Sequence, residues 1–175
     1  MNATSLTARL ALACVCMASL FGHISGASAM RPAATAVESQ NEAVVLRFLY
    51  EGLNGRSFAV VKEVTAPGFV DHNPFGTTVG LPAFEKVAGT LLTAFPDAHF
   101  TVLEVLAAGN TVAVRDVSTA THKGTFLGVP ATGKKVSWSE YQFWHLANGK
   151  ITDVWVTWDT LGLLRQISGS SDRVS

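Results

Sequence analysis

The alternation in VSWSEYQFWHL, residues 136–146, constrains the fold more than any other feature of this chain. Even positions carry Val136, Trp138, Glu140, Gln142, Trp144 and Leu146; odd positions carry Ser137, Ser139, Tyr141, Phe143 and His145. Successive side chains of a strand point to opposite faces, so a period of two over so long a run reads as one strand with two different faces. Turn signals at Gly109-Asn110 and Asn148-Gly149 extend the pattern. They divide AHFTVLEVLAAGNTVAVRDVSTATH into two strands and VSWSEYQFWHLANGKITDVWVTW into two more. The Gly/Pro/Thr-rich loop KGTFLGVPATGKK turns the chain between the pairs.

The pattern before residue 98 is helical. In SQNEAVVLRFLYEGLN, Ser39 and Glu42 have the spacing of a capping box, and Val44, Val45, Phe48, Leu49 and Leu53 recur at helical intervals until Asn54-Gly55. SFAVVKEV reads as a short second helix, GFVDHNP as a brief extended segment, and LPAFEKVAGTLLTAF as a helix with Pro in its first turn. DTLGLLRQI is a closing helix with Asp159 as its N-cap. Helices first, then hairpins, then one helix, is the order of an α+β fold. The expected form is a cone-shaped α+β barrel, a curved antiparallel sheet with N-terminal helices enclosing a pocket.

Residues 1–29 read as a signal peptide, with Arg9, a short apolar run and Ala27-Ser28-Ala29 as a small-residue cleavage site. That predicts export, periplasmic or secreted; the chain is cytoplasmic instead if Met30 is the true start. The expected organisation is a disordered lead-in over 30–38, one domain over 39–168 and a flexible tail over 169–175. Both cysteines, Cys14 and Cys16, lie in the leader, so the mature domain has no disulfide and no thiolate ligand. It carries twelve basic and thirteen acidic residues, with no basic stripe, which gives nucleic-acid binding no electrostatic support. No membrane contact is expected after cleavage of the leader.

VDHNP, AFPDAHFTV, VAVRDVSTATHKGTFLGVPATGKKV and NGKITDVWVTWDTLGLLRQI, in this order, resemble the SnoaL-like polyketide cyclases, also called ester cyclases, of the nuclear-transport-factor-2-like superfamily. The resemblance runs from about residue 40 to residue 168. It implies an internal pocket for a small apolar ligand, a frequent homodimer through the sheet, and an intramolecular aldol cyclisation without metal or organic cofactor.

The candidate catalytic residues are Glu140, His122, Gln142 and Arg115. If the Trp-bearing even face of residues 136–146 is inward, Glu140 and Gln142 enter the pocket, and a carboxyl among aromatic rings has the raised pKa that suits proton transfer near neutrality. If the Tyr141/Phe143 face is inward, Glu140 is solvated or lies on a dimer face. The acid usual on this strand of the resembled family falls at Gln142, which cannot exchange protons; either Glu140, two residues away on the same face, takes over, or the chain has lost the cyclase chemistry. His122 matches the family's Thr-His-x-Gly position and could polarise a carbonyl or pass a proton. Arg115 also matches a family position; inward it would stabilise an enolate, outward it would pair with a surface acid. Asp71 and His72 are adjacent on an extended segment, so at most one of them enters the pocket, and His72 is the expected one. Trp138, Trp144, Trp155 and Trp158 complete the candidate substrate-binding set. No metal is expected, because the His and carboxylate spacing fits no ligand motif. GVPATGK lacks the spacing of a phosphate loop, and no nucleophile elbow is present. A non-catalytic exported small-molecule-binding module of the same fold is the alternative function.

Overall fold

The computed structural model describes residues 34–169 of the 175. Residues 1–33 and 170–175, which hold the expected signal peptide, part of the expected lead-in and the expected tail, lie outside the described residues. Helix α1, Ala36–Arg47, starts inside the stretch that composition assigns to the lead-in. Thr35 caps it. Its hydroxyl accepts from the Glu38 amide at 3.2 Å, and Glu38 Oε2 accepts from the Thr35 amide at 2.7 Å. The capping box expected at Ser39 and Glu42 is therefore corrected to Thr35 and Glu38, which have the same spacing and come first.

Residues Phe48–Asn54 continue α1 in π-helical form, ending at Gly55. Gly52 faces α2, Phe58–Val64; a Cβ at Gly52 would lie 2.8 Å from Val61 Cγ2, so the missing side chain permits this approach. Strand β1, Thr65–Asn73, then turns into β2, Gly76–Val79. Asn73 Oδ1 shapes that turn by accepting from the Phe75 amide at 2.9 Å. Strand β2 is not foreseen in the sequence reading, since GTTV has a single large apolar residue. Helix α3, Leu81–Ala94, carries its Pro at the start, as expected.

Strands β3, His99–Ala108, β4, Thr111–Thr121, β5, Lys135–Ala147, and β6, Lys150–Trp158, follow the two turn signals. Helix α4, Thr160–Ser168, begins at Asp159, whose Oδ1 accepts from the Gly162 amide at 2.7 Å. The sheet order is β2-β1-β6-β5-β4-β3. Every neighbouring pair is antiparallel except β1 and β6, which run parallel. The expectation of an all-antiparallel sheet is corrected at that one pair, where no hairpin dictates direction. The sheet is curved and unclosed, with β2 and β3 as its edges, so helices rather than strand pairing complete the cone. Bulges at Leu103 on β3 and at Thr152 on β6, opposite His145/Leu146, help bend it.

Burial along β5 alternates without a break, and the even positions are the buried ones. Two apolar clusters meet this inner face. Phe48, Phe69, Phe84 and Trp144 anchor the first, with the Phe48 and Trp144 rings 4.9 Å apart. Phe95, Phe126, Trp138 and Leu163 anchor the second. Each such large side chain contributes about 1.5–3 kcal/mol by leaving water. Glu140 and Gln142 stand on β5 between Trp138 of one cluster and Trp144 of the other. Among the described residues, no helix is long and apolar enough to cross a membrane.

Candidate active site

A cavity of about 320 Å³ lies against the inner face of the sheet. Phe48, Phe84, Phe100, Trp144 and Trp158 give it an aromatic wall, and the exposed Phe75 and Leu127 stand at its rim. Its polar wall includes Asp71, Glu140 and Gln142. Such a space suits a ligand that is mostly apolar and is oriented by a few polar groups.

Glu140 is 6% exposed. Its Oε1 accepts from Ser118 Oγ at 2.8 Å and from Trp138 Nε1 at 2.7 Å, and its Oε2 accepts from Gln142 Nε2 at 3.3 Å. Burial pushes the Glu140 carboxyl up from its ordinary range, and the three donors oppose that rise. The inward assignment of the Trp-bearing face is therefore the one the structure contains. Trp138 has a different place from the one expected: it is not on the cavity wall, but holds Glu140 from behind.

Sequence reasoning missed Asp116. It pairs directly across β4–β5 with Glu140 in the ladder register and is fully buried. Gln142 Nε2 donates to its Oδ1 at 2.9 Å, so one amide nitrogen bridges both carboxyl groups. Burial first, and the neighbouring Glu140 charge second, push Asp116 up from 3.8 to about 8. The signal was present in VAVRDVSTA. Val112 and Val114 share parity with Asp116, and Arg115 is the residue that the same pleat turns outward.

Arg115 accordingly leaves the site. Its Nε donates to Glu104 Oε2 at 2.9 Å on the outer face of the sheet, and its role beside an enolate is corrected to that of a surface ion pair. His122 is also corrected. It is buried beyond the cavity, with its ring 5.3 Å from Phe95 and its Nδ1 3.0 Å from Thr132 Oγ1. Burial holds its imidazole below the ordinary value. Gly124, just after it, packs against the end of α3. A Cβ there would lie 2.5 Å from the Thr93 carbonyl oxygen, so glycine is what lets this loop tuck in.

Of the adjacent pair in VDHNP, Asp71 enters the cavity rather than His72. Phe69 is fully buried and shares parity with Asp71, which fixes the pleat. Asp71 Oδ2 accepts from Asn73 Nδ2 at 2.7 Å and from Thr78 Oγ1 at 3.5 Å, while burial pushes its carboxyl up. His72 stacks outside on Trp155 at 4.3 Å and 12°, so neither lines the cavity. Trp144 and Trp158 do. Among the described residues, no group of three or more His, Cys, Asp or Glu side chains is placed to share a metal ion.

A model of the SnoaL-like polyketide cyclase family matches residues 43–167. Aklanonic acid methyl ester cyclase DnrD of Streptomyces peucetius is 32% identical over 106 residues, covering 60% of this chain and 72% of its own. A candidate SnoaL-like polyketide cyclase from Jannaschia sp. CCS1 superposes with a TM-score of 0.74 at 27% identity, over 78% of this chain and 97% of that one. AclR, a candidate hydroxylase from Streptomyces galilaeus, superposes with a TM-score of 0.69 at 26% identity, over 78% and 85% of the two chains. The relatives' names include more than one reaction, so the fold alone does not choose the chemistry. The matched span includes the whole of β1 through β6 and the acid-lined cavity between the helices and the sheet, and by it this chain belongs to the SnoaL-like polyketide cyclase family.

Proposed function

We propose that the protein catalyses a cofactor-free ring closure of the aldol type on a mostly apolar carbonyl compound, with Glu140 as general base. The observation that carries this reading is a desolvated carboxylate on the wall of a mostly apolar cavity, oriented by three donors. A base so placed removes an acidic hydrogen next to a carbonyl group. The resulting enolate carbon attacks a second carbonyl of the same molecule, forming one carbon–carbon bond, and the new alkoxide takes up a proton. Asp71, on the same cavity wall with its pKa raised by burial, is the acid best placed to give that proton. Gln142 orients Glu140 instead of exchanging protons itself.

The test begins with aklanonic acid methyl ester, from the name of the DnrD relative, and continues through smaller 1,3-dicarbonyl esters. Ring closure leaves the mass unchanged, so product is read by chromatographic retention. Turnover that disappears in Glu140→Gln while ligand binding persists supports the reading. A compound held without turnover by the wild type favours the binding-module alternative.

We also infer that the outer sheet face associates with a second copy of the chain. Tyr141 and Phe143 are each 56% exposed there, beside the exposed Trp155. Light scattering should give a dimer for the wild type and a monomer for Phe143→Lys; a wild-type monomer contradicts this.

A further inference from the structure

Two buried oxygens of the site have no hydrogen-bond partner: Asp116 Oδ2 and Gln142 Oε1. Buried polar atoms seldom remain unpaired. These two belong to side chains already joined by one bond, from Gln142 Nε2 to Asp116 Oδ1. An ionised aspartate and a glutamine oxygen both only accept, so they cannot satisfy each other. One proton on Asp116 Oδ2 changes that. The acid then donates to Gln142 Oε1 while the amide donates to Asp116 Oδ1, and both orphans are resolved together. Flipping the Gln142 amide does not remove the need for a proton: its oxygen would then face Asp116 Oδ1 and Glu140 Oε2, and one of those carboxyl groups would have to donate to it.

We propose that Asp116 is held as a neutral carboxylic acid, closed into a ring of two hydrogen bonds with the Gln142 amide, and that this ring fixes the Gln142 N–H on Glu140 and leaves Glu140 as the ionised member of the pair. The distribution of donors decides which carboxyl keeps the charge. Glu140 receives Ser118, Trp138 and Gln142, whereas Asp116 receives only Gln142 among side chains. Hydrogen bonds to the ionised form favour ionisation, and two carboxylates facing across a ladder do not both ionise readily. The other groups facing the pair leave this unchanged. Asp71 from β1 is another acid. The linings from β6, α3 and the π-helical segment carry no charged group, Thr90 of α3 being the one polar side chain among them, and the Arg56 guanidinium is engaged by the carbonyls of Leu53, Pro96 and Ala98. Asp116 is absent from the cavity wall, so it is a positioning residue and Glu140 is the group that meets substrate.

The catalytic consequence rests on the reading of Glu140 as base; the protonation state does not. Carboxyl carbon NMR of aspartate-labelled protein tests the second part without substrate. An aspartate signal that reports a protonated acid at pH 6 and titrates near pH 8 should vanish in Asp116→Asn. If the Asp116 signal is ionised at pH 6, or if glutamate labelling places the proton on Glu140, the proposal is overturned. Asp116→Asn replaces the acid by an amide that keeps both bonds of the ring. It should keep turnover well above the roughly 100-fold loss expected for removing a proton-transfer group. Asp116→Val opens the ring and should lower kcat while leaving KM nearly unchanged. A full 100-fold loss in Asp116→Asn, with its fold intact, would make Asp116 a proton-transfer group and contradict the positioning role.

Discussion

The two faces of the sheet along β4 hold the same kinds of residue in opposite states. On the outer face, Glu104 meets Arg115, and the guanidinium holds the Glu104 carboxyl below its ordinary range. On the inner face, one residue further along β4, Asp116 meets Glu140, and burial pushes both carboxyl groups up. The residue types do not differ enough to explain this; the pleat does. A step of one residue takes a carboxyl group from water and a cation to an apolar cavity and a second acid. The same step separates His72, stacked outside on Trp155, from Asp71 inside. Acid/base chemistry in this fold therefore depends on parity before it depends on residue type.

The strongest way to break the comparison is to neutralise one carboxyl on each face. Glu140→Gln should lower kcat by about 10²–10⁴-fold, the usual range for loss of a general base. Glu104→Gln should leave kcat unchanged in the same assay. Equal losses would remove the distinction between the faces.

Next in size is the aromatic wall. Trp144→Ala should destabilise the fold by about 3–5 kcal/mol in urea denaturation, because a fully buried ring in contact with Phe48 leaves a cavity. A loss typical of a surface site would mean that the inner face is not packed as described.

The pH dependence of stability sharpens the comparison further. The folded chain holds a proton on Asp116 up to about pH 8, while the unfolded chain releases it near pH 3.8. Between those values the native state binds more protons than the unfolded one, so this contribution to stability is full at low pH and declines as pH rises towards 8. Burial of Glu140 and Asp71 acts in the same direction. In thermal melts, Asp116→Asn should be less sensitive to pH across this window and melt above the wild type at pH 9. Parallel pH profiles for the two proteins would contradict a protonated Asp116.

The smallest effect belongs to Arg115→Gln. Its ion pair is solvent-exposed and screened, so Tm should shift no more than for an ordinary surface substitution, and kcat should not change.

Parity made much of this site legible before any coordinates. The unbroken alternation of residues 136–146 placed Glu140, Gln142 and Trp144 together, and the hairpin turns placed four of the six strands. Asp116 is equally legible from Val112 and Val114, whose parity it shares, whereas the family resemblance points to Arg115. Phe69 likewise gave the parity of Asp71 against that of His72. His122 shows where parity stops. It continues the buried set of β4 after Ala120, yet the chain there passes beneath Phe95, beyond the cavity. Alternation states which face a side chain takes, but not how far along that face the cavity extends. Strand β2 was hidden because GTTV lacks a pattern of its own and is defined by its pairing with β1.

The central claim is that Glu140 removes a hydrogen next to a carbonyl group, and hydrogen exchange tests it without requiring the later steps. A 1,3-dicarbonyl ester that the wild type turns over is incubated in D₂O, and loss of its acidic C–H signal is followed by proton NMR. Wild type and Arg115→Gln should speed this exchange, and Glu140→Gln should reduce it to the rate without protein. Exchange by Glu140→Gln at the wild-type rate would show that the base lies elsewhere.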